Sequence, residues 1–170
     1  MEMFESAYAS QVSIACFVAL VLVGAVSDVV SYRIPNIVVL MIFVLYPFFV
    51  LVSPQEIEWL YSLGICAAVL VVGIVLFNFK IFGAGDAKLL AVIMLWAGPK
   101  LAVPALLVGV LVSGILAIVM MTGARFIIAS ALSAMSRKDL GDKFLAHSMP
   151  WGTGLGFSGI ITGWGLMVGL

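Results

Sequence analysis

The chain has 170 residues, of which 65% are hydrophobic and only 9% charged, with a mean hydropathy of +1.31. Soluble domains carry roughly 45–50% apolar and about 25% charged residues, which excludes a water-soluble globule, a disordered chain and a coiled coil. Eight Lys+Arg balance eight Asp+Glu, and with no basic tract to neutralise phosphates, nucleic acid is excluded as a partner.

A membrane-spanning helix takes roughly 20 apolar residues, so this length predicts one all-α domain over 1–170, a polytopic bundle of six transmembrane helices in a lipid bilayer. The acidic start Met1-Glu2-Met3-Phe4-Glu5 lacks the basic region of a cleavable signal, so the first apolar run, 7–27, is expected to stay as a span. The second span is 36–52, opened by Pro35, where a missing N–H costs least, and ended by Ser53-Pro54. The third covers 59–79, the fourth only 87–98 with Pro99 closing it, and the fifth 101–122. Residues 123–148 are the longest polar stretch, with Arg125, Ser136-Arg137-Lys138-Asp139, Asp142 and Lys143. Phe126, Ile127, Ile128, Leu132 and Met135 recur there at helical spacing, which predicts an amphipathic cytoplasmic helix. The sixth span, 149–170, sets Gly152, Gly156, Gly159 and Gly163 on one face, where small residues let helix backbones approach closely.

A dozen apolar residues are few for a crossing, and the distribution of cations decides the matter. With six crossings, Arg33, Lys80, Lys88, Arg125, Arg137, Lys138 and Lys143 share one side and only Lys100 lies on the other. Without the fourth crossing the split is four to four. Seven to one is the order expected of an inserted protein, with both termini outside the cytoplasm. Cys16 and Cys66 stand alone in apolar runs, and His147 is the sole histidine. Neither a disulfide framework nor a metal centre is indicated, and no cofactor is expected.

Two acidic residues remain at cytoplasmic span ends. Asp28 follows the apolar run of span one, and Asp86 sits in Gly83-Ala84-Gly85-Asp86-Ala87-Lys88-Leu89. Carboxylates are costly there unless paired, hydrated or used. Asp86 could simply cap span four, with Gly83 and Gly85 allowing the tight turn before it. Asp28 faces the negative end of a helix dipole and could have Arg33 as its only partner. Two such carboxylates at one depth could also meet, share a proton and hydrolyse a peptide bond, the ionised one activating water and the protonated one polarising the carbonyl. Helix ends favour Asp86 as the anion and Asp28 as the acid.

These residues carry a resemblance. Gly83-Ala84-Gly85-Asp86 is similar to the GxGD signature of intramembrane aspartyl proteases, and Asp28 with Arg33-Ile34-Pro35-Asn36 resembles the first-aspartate motif of type IV prepilin peptidases. Met149-Pro150-Trp151-Gly152 is similar to the opening of that family's last helix, and the layout resembles its short CpaA/TadV type, which serves Flp pili. The resemblance implies a bacterial inner-membrane aspartyl endopeptidase that cuts the cytoplasmic leader from a pilin precursor, with Asp28 and Asp86 as the catalytic pair. It further implies that Gly83 and Gly85 let the backbone turn tightly beside the substrate, that Pro35 and Asn36 fix the start of span two, and that Lys88 and Arg33 hold the carboxylates or meet acidic substrate groups. The paired-cysteine domain that many relatives carry for N-methylation is missing, so methyl transfer is not implied. A small transporter or proton-relay subunit, or a non-catalytic pilus assembly factor, remains the alternative. Oligomeric state is not legible.

Overall fold

A computed structural model of the chain describes residues 2–31, 33–80, 82–121 and 152–169. The predicted amphipathic segment 123–148, His147 and the Met149-Pro150-Trp151 motif lie outside the described residues. Within them the protein is all-helical: α1 (Glu2–Ser31), α2 (Asn36–Val52), α3 (Trp59–Asn78), α4 (Ala84–Met121) and α5 (Gly152–Val168). Three stretches, Glu5–Ser31, Trp59–Asn78 and Ala84–Val119, are long and apolar enough to cross a membrane. α3 turns Leu60, Val71, Val72 and Val75 outward. Apolar side chains on an exterior of this extent suit lipid rather than water.

The long fourth helix is not straight. Gly98 breaks it with φ 59° and ψ −172°, a conformation essentially reserved for glycine. The sequence places the break between spans four and five at this point, and close approaches show what it does. On α5, positions 152, 156, 159 and 163 lie in turn against Asp28, Ala25, Val21 and Val18, so α5 runs antiparallel to α1. Gly154 lies against Ser113 and Gly165 against Leu101, so the second arm of α4 is antiparallel to α5. Leu89 lies beside Gly24, and Trp96 stacks on Phe17, so the first arm is antiparallel to α1. The arms therefore run in opposite directions, and the chain reverses at Gly98. The glycine stripe expected on the sixth span packs on α1, each missing Cβ making room for a side chain of that helix.

The first arm of α4 occupies the centre, with residues 91–98 all buried. A helix apolar all round belongs in such a place, surrounded by others. Its anchor is Trp96, 2% exposed, stacked between Phe17 at 4.4 Å and Phe49 at 4.9 Å. Tyr46 meets its edge at 5.8 Å, and the indole N–H donates to the Ile42 carbonyl at 3.1 Å. Trp96→Ala would leave a cavity among three helices and is expected to cost about 3–5 kcal/mol. Thermal unfolding in detergent reads this directly, and an unchanged midpoint would contradict Trp96 as the anchor.

Candidate active site

Asp28 and Asp86 lie at one end of the bundle, on helices that run in opposite directions. Each sits about a turn deeper in its helix than the sequence suggests. α1 continues to Ser31, so Asp28 belongs to its last turn. α4 begins at Ala84, which makes Asp86 its third residue rather than the cap in front of it. From there the carboxyl reaches back to accept the Gly83 backbone N–H, the capping-box contact that satisfies a donor left free at a helix start. The Gly83 carbonyl meanwhile accepts the first helical bond, from the Ala87 N–H at 3.0 Å.

Both carboxyls are largely withdrawn from solvent, Asp28 at 7% and Asp86 at 8% exposure, and they are close enough to interact electrostatically. Neither has a cation against it among the described residues. Arg33, one partner that the sequence allows for Asp28, is not against it. The Asp28 carboxyl Oδ2 instead accepts the Gly152 backbone N–H at 2.8 Å, from the first residue of α5. Arg33 lies on the exposed link after α1, where its carbonyl accepts the Ser27 hydroxyl at 3.1 Å. Lys88 points away from both aspartates as well, its ammonium donating to Asn36 Oδ1 at 3.2 Å. Asn36 opens α2 behind the N-capping Pro35, so this bond ties the starts of α2 and α4 together. Asp86 Oδ1 is buried with no hydrogen-bond partner among the described residues. A buried acceptor left open costs free energy and invites an explanation such as a water or a substrate group.

The motif glycines serve space rather than a turn. Neither Gly83 nor Gly85 has positive φ. A Cβ on Gly83 would run into Asp86 Oδ2, and one on Gly85 would press on Ile34 Cβ at 3.3 Å. Gly152, read from the sequence as a packing residue, is in addition the amide that holds Asp28. A Cβ there would stand 2.7 Å from Asp28 Cβ and 2.8 Å from Oδ2. Backbone donors leave no mark on sequence type, and only the Pro-aromatic-Gly pattern hinted at this one. Its presence also removes the helix-end basis for making Asp28 the acid, because each carboxyl now receives an amide from a helix start.

A family model described as the type IV leader peptidase family matches residues 15–120, which hold both aspartates and the Gly83–Asp86 motif. The chain belongs to the type IV leader peptidase family. No curated protein and no solved structure matches it. Membership makes it a peptidase, and with three helices apolar enough to span a bilayer it is a membrane protein. Gly83→Ala, which crowds Asp86 Oδ2, is accordingly expected to lower peptidase activity more than Gly64→Ala. At Gly64 an added methyl meets nothing within 4 Å. Equal activity in the two variants would refute a steric need for glycine at 83.

Proposed function

We propose that this leader peptidase is an aspartyl endopeptidase of the bacterial inner membrane that removes the short cytoplasmic leader of a type IV or Flp-type pilin precursor. Asp28 and Asp86 are its catalytic pair. The observation that carries the reading is a pair of buried carboxyls, on opposed helices and near enough to interact, in a member of a peptidase family. Two carboxylates so placed hold one proton between them more easily than none. The ionised member takes a proton from water, and the protonated member polarises the scissile carbonyl. Water enters from the membrane edge, because both residues sit within a turn of their helix ends.

Six crossings with both termini outside the cytoplasm fit this reading. The reversal at Gly98 supports them, and so does charge. Arg33, Lys80 and Lys88 fall at the end that holds the aspartates, whereas Lys100 lines a cavity at the other end. Positive residues mark the cytoplasmic side, which puts the pair where a leader would be presented.

The test uses the purified full chain in liposomes with a Flp-type pilin precursor, whose mass is followed over time. The wild type is expected to release a leader of defined mass. An intact precursor alongside folded enzyme, across pilin precursors of both the Flp and the longer type IV class, would overturn the proposal.

A further inference from the structure

The end of the bundle away from the aspartates holds a second polar place. A cavity of about 410 Å³ opens there between the start of α1, the link from α2 to α3, the break in α4 and the end of α5. Phe49, Trp96, Ser10 and Ser62 line it from buried positions. Gln11, Glu56, Glu58 and Lys100 line it from exposed ones. An apolar floor with two hydroxyls thus carries a charged rim. Each wall lies at or near a helix end, and apolar helices end where the hydrocarbon ends, so the rim stands at the level of lipid headgroups.

The rim charges are not spent on one another. Glu58 is the N-cap of α3 but makes no side-chain capping bond. Among the described residues neither it nor Glu56 forms an ion pair with Lys100. Lys100 stands just past the break at Gly98, where the second arm of α4 begins and the first amides of a helix have no acceptor within it. A cation beside such amides suits a phosphate, and a pair of carboxylates suits an ammonium. A bare cation would meet Lys100, and an anion would meet two carboxylates. A zwitterion answers both.

We infer that this cavity seats the headgroup of a phospholipid carrying a primary amine, with its phosphate against Lys100 and its ammonium against Glu56 and Glu58. A quaternary ammonium has no N–H to give these carboxylates, and a headgroup with a net negative charge is repelled by them. Phe49 and Trp96 offer the glycerol end an apolar floor, which a soluble aminoalkyl phosphate would leave uncovered. An occupant touching four parts of the chain favours the folded state.

The test uses the purified full chain in detergent, with phosphatidylethanolamine, phosphatidylcholine and phosphatidylglycerol added in equal amounts. Native mass spectrometry reads the bound lipid, and thermal unfolding is followed alongside. Phosphatidylethanolamine is expected to be retained about tenfold over the other two and to raise the unfolding midpoint. Lys100→Gln should abolish that preference. Glu5→Gln, exposed on α1 but outside the cavity, should leave it unchanged. The double variant Glu56→Gln, Glu58→Gln should reverse it in favour of phosphatidylglycerol, because Lys100 then meets the headgroup alone. Such a gain of binding cannot come from unfolding. Equal retention of the three lipids by the wild type, or a preference that survives the double variant, would overturn the site. So would soluble phosphoethanolamine raising the midpoint as much as the lipid does at the same concentration. None of these readouts involves cleavage, so this inference and the peptidase reading stand or fall separately.

Discussion

Asp28→Asn and Asp86→Asn are each expected to lower the rate of leader removal by about 10³-fold or more, with the double variant no worse than either single one. The two carboxyls work as one acid/base unit, so losing either member removes the whole function. Asparagine keeps the shape of the site. Its carbonyl can still accept the Gly152 amide at position 28 and the Gly83 amide at position 86. What is lost is the ability to take up and return a proton. Stability is expected to move the other way. Both carboxyls are buried, neither has a cation against it among the described residues, and Asp86 Oδ1 has no hydrogen-bond partner there. Removing a charge from such a place relieves repulsion and desolvation, so the thermal midpoint should hold or rise. Parallel measurement of cleavage rate and unfolding midpoint separates the readings. A midpoint that falls sharply would indicate that the aspartates hold the fold, and cleavage within a few-fold of wild type would sink the mechanism.

Gly152→Val is the second large effect. A branched side chain at a position whose Cβ already stands 2.7 Å from Asp28 Cβ must push either Asp28 or the start of α5 aside. Either movement breaks the 2.8 Å amide bond to Asp28. A displacement of about 1 Å at a reacting group is worth on the order of 10²-fold in rate, and that is the expected loss, falling on kcat rather than KM. Gly152→Ala should lie between wild type and Gly152→Val. Gly64→Ala, with open space around it, serves as the unperturbed comparison. Full activity in Gly152→Val would mean that the Asp28–Gly152 contact has no part in catalysis, whatever its part in packing.

The legible and illegible parts of this site differ in kind. Asp28 and Asp86 stand out in sequence because ionisable groups among apolar residues are rare and expensive. Their positions within the helices were misjudged by about a turn, because α1 runs through Ser27 and Asp28 to Ser31 and α4 starts ahead of its apolar run. Asp86 does meet a backbone amide at a helix start, that of Gly83 in front of α4. Nearness in sequence allows an ion pair between Asp28 and Arg33. Helix direction decided otherwise, since α5 brings its first amide to Asp28 from 124 residues away. Gly83 and Gly85 were read as turn formers, and the backbone instead uses the absence of their side chains to bring Asp86 and Ile34 close.

By itself the sequence determined what depends on composition and local order. These are a chain too apolar for water, the helical segments with Pro35 and Pro99 at their breaks, and two carboxylates worth explaining. Each follows from short-range chemistry: transfer of side chains into lipid, fixed or permitted φ angles, and the cost of an isolated charge. Only the tertiary structure decided that the first arm of α4 lies at the centre and that the two aspartates come within electrostatic reach. It alone supplied an amide from α5 to Asp28, turned Lys88 toward Asn36, and gathered Glu56, Glu58 and Lys100 around one cavity. Those outcomes depend on which helix faces approach one another. In an apolar bundle that choice rests on close packing: the glycine stripe of α5 marks a packing face in the sequence but not its partner helix, and Gly73, which lies against Ala87, belongs to no such stripe.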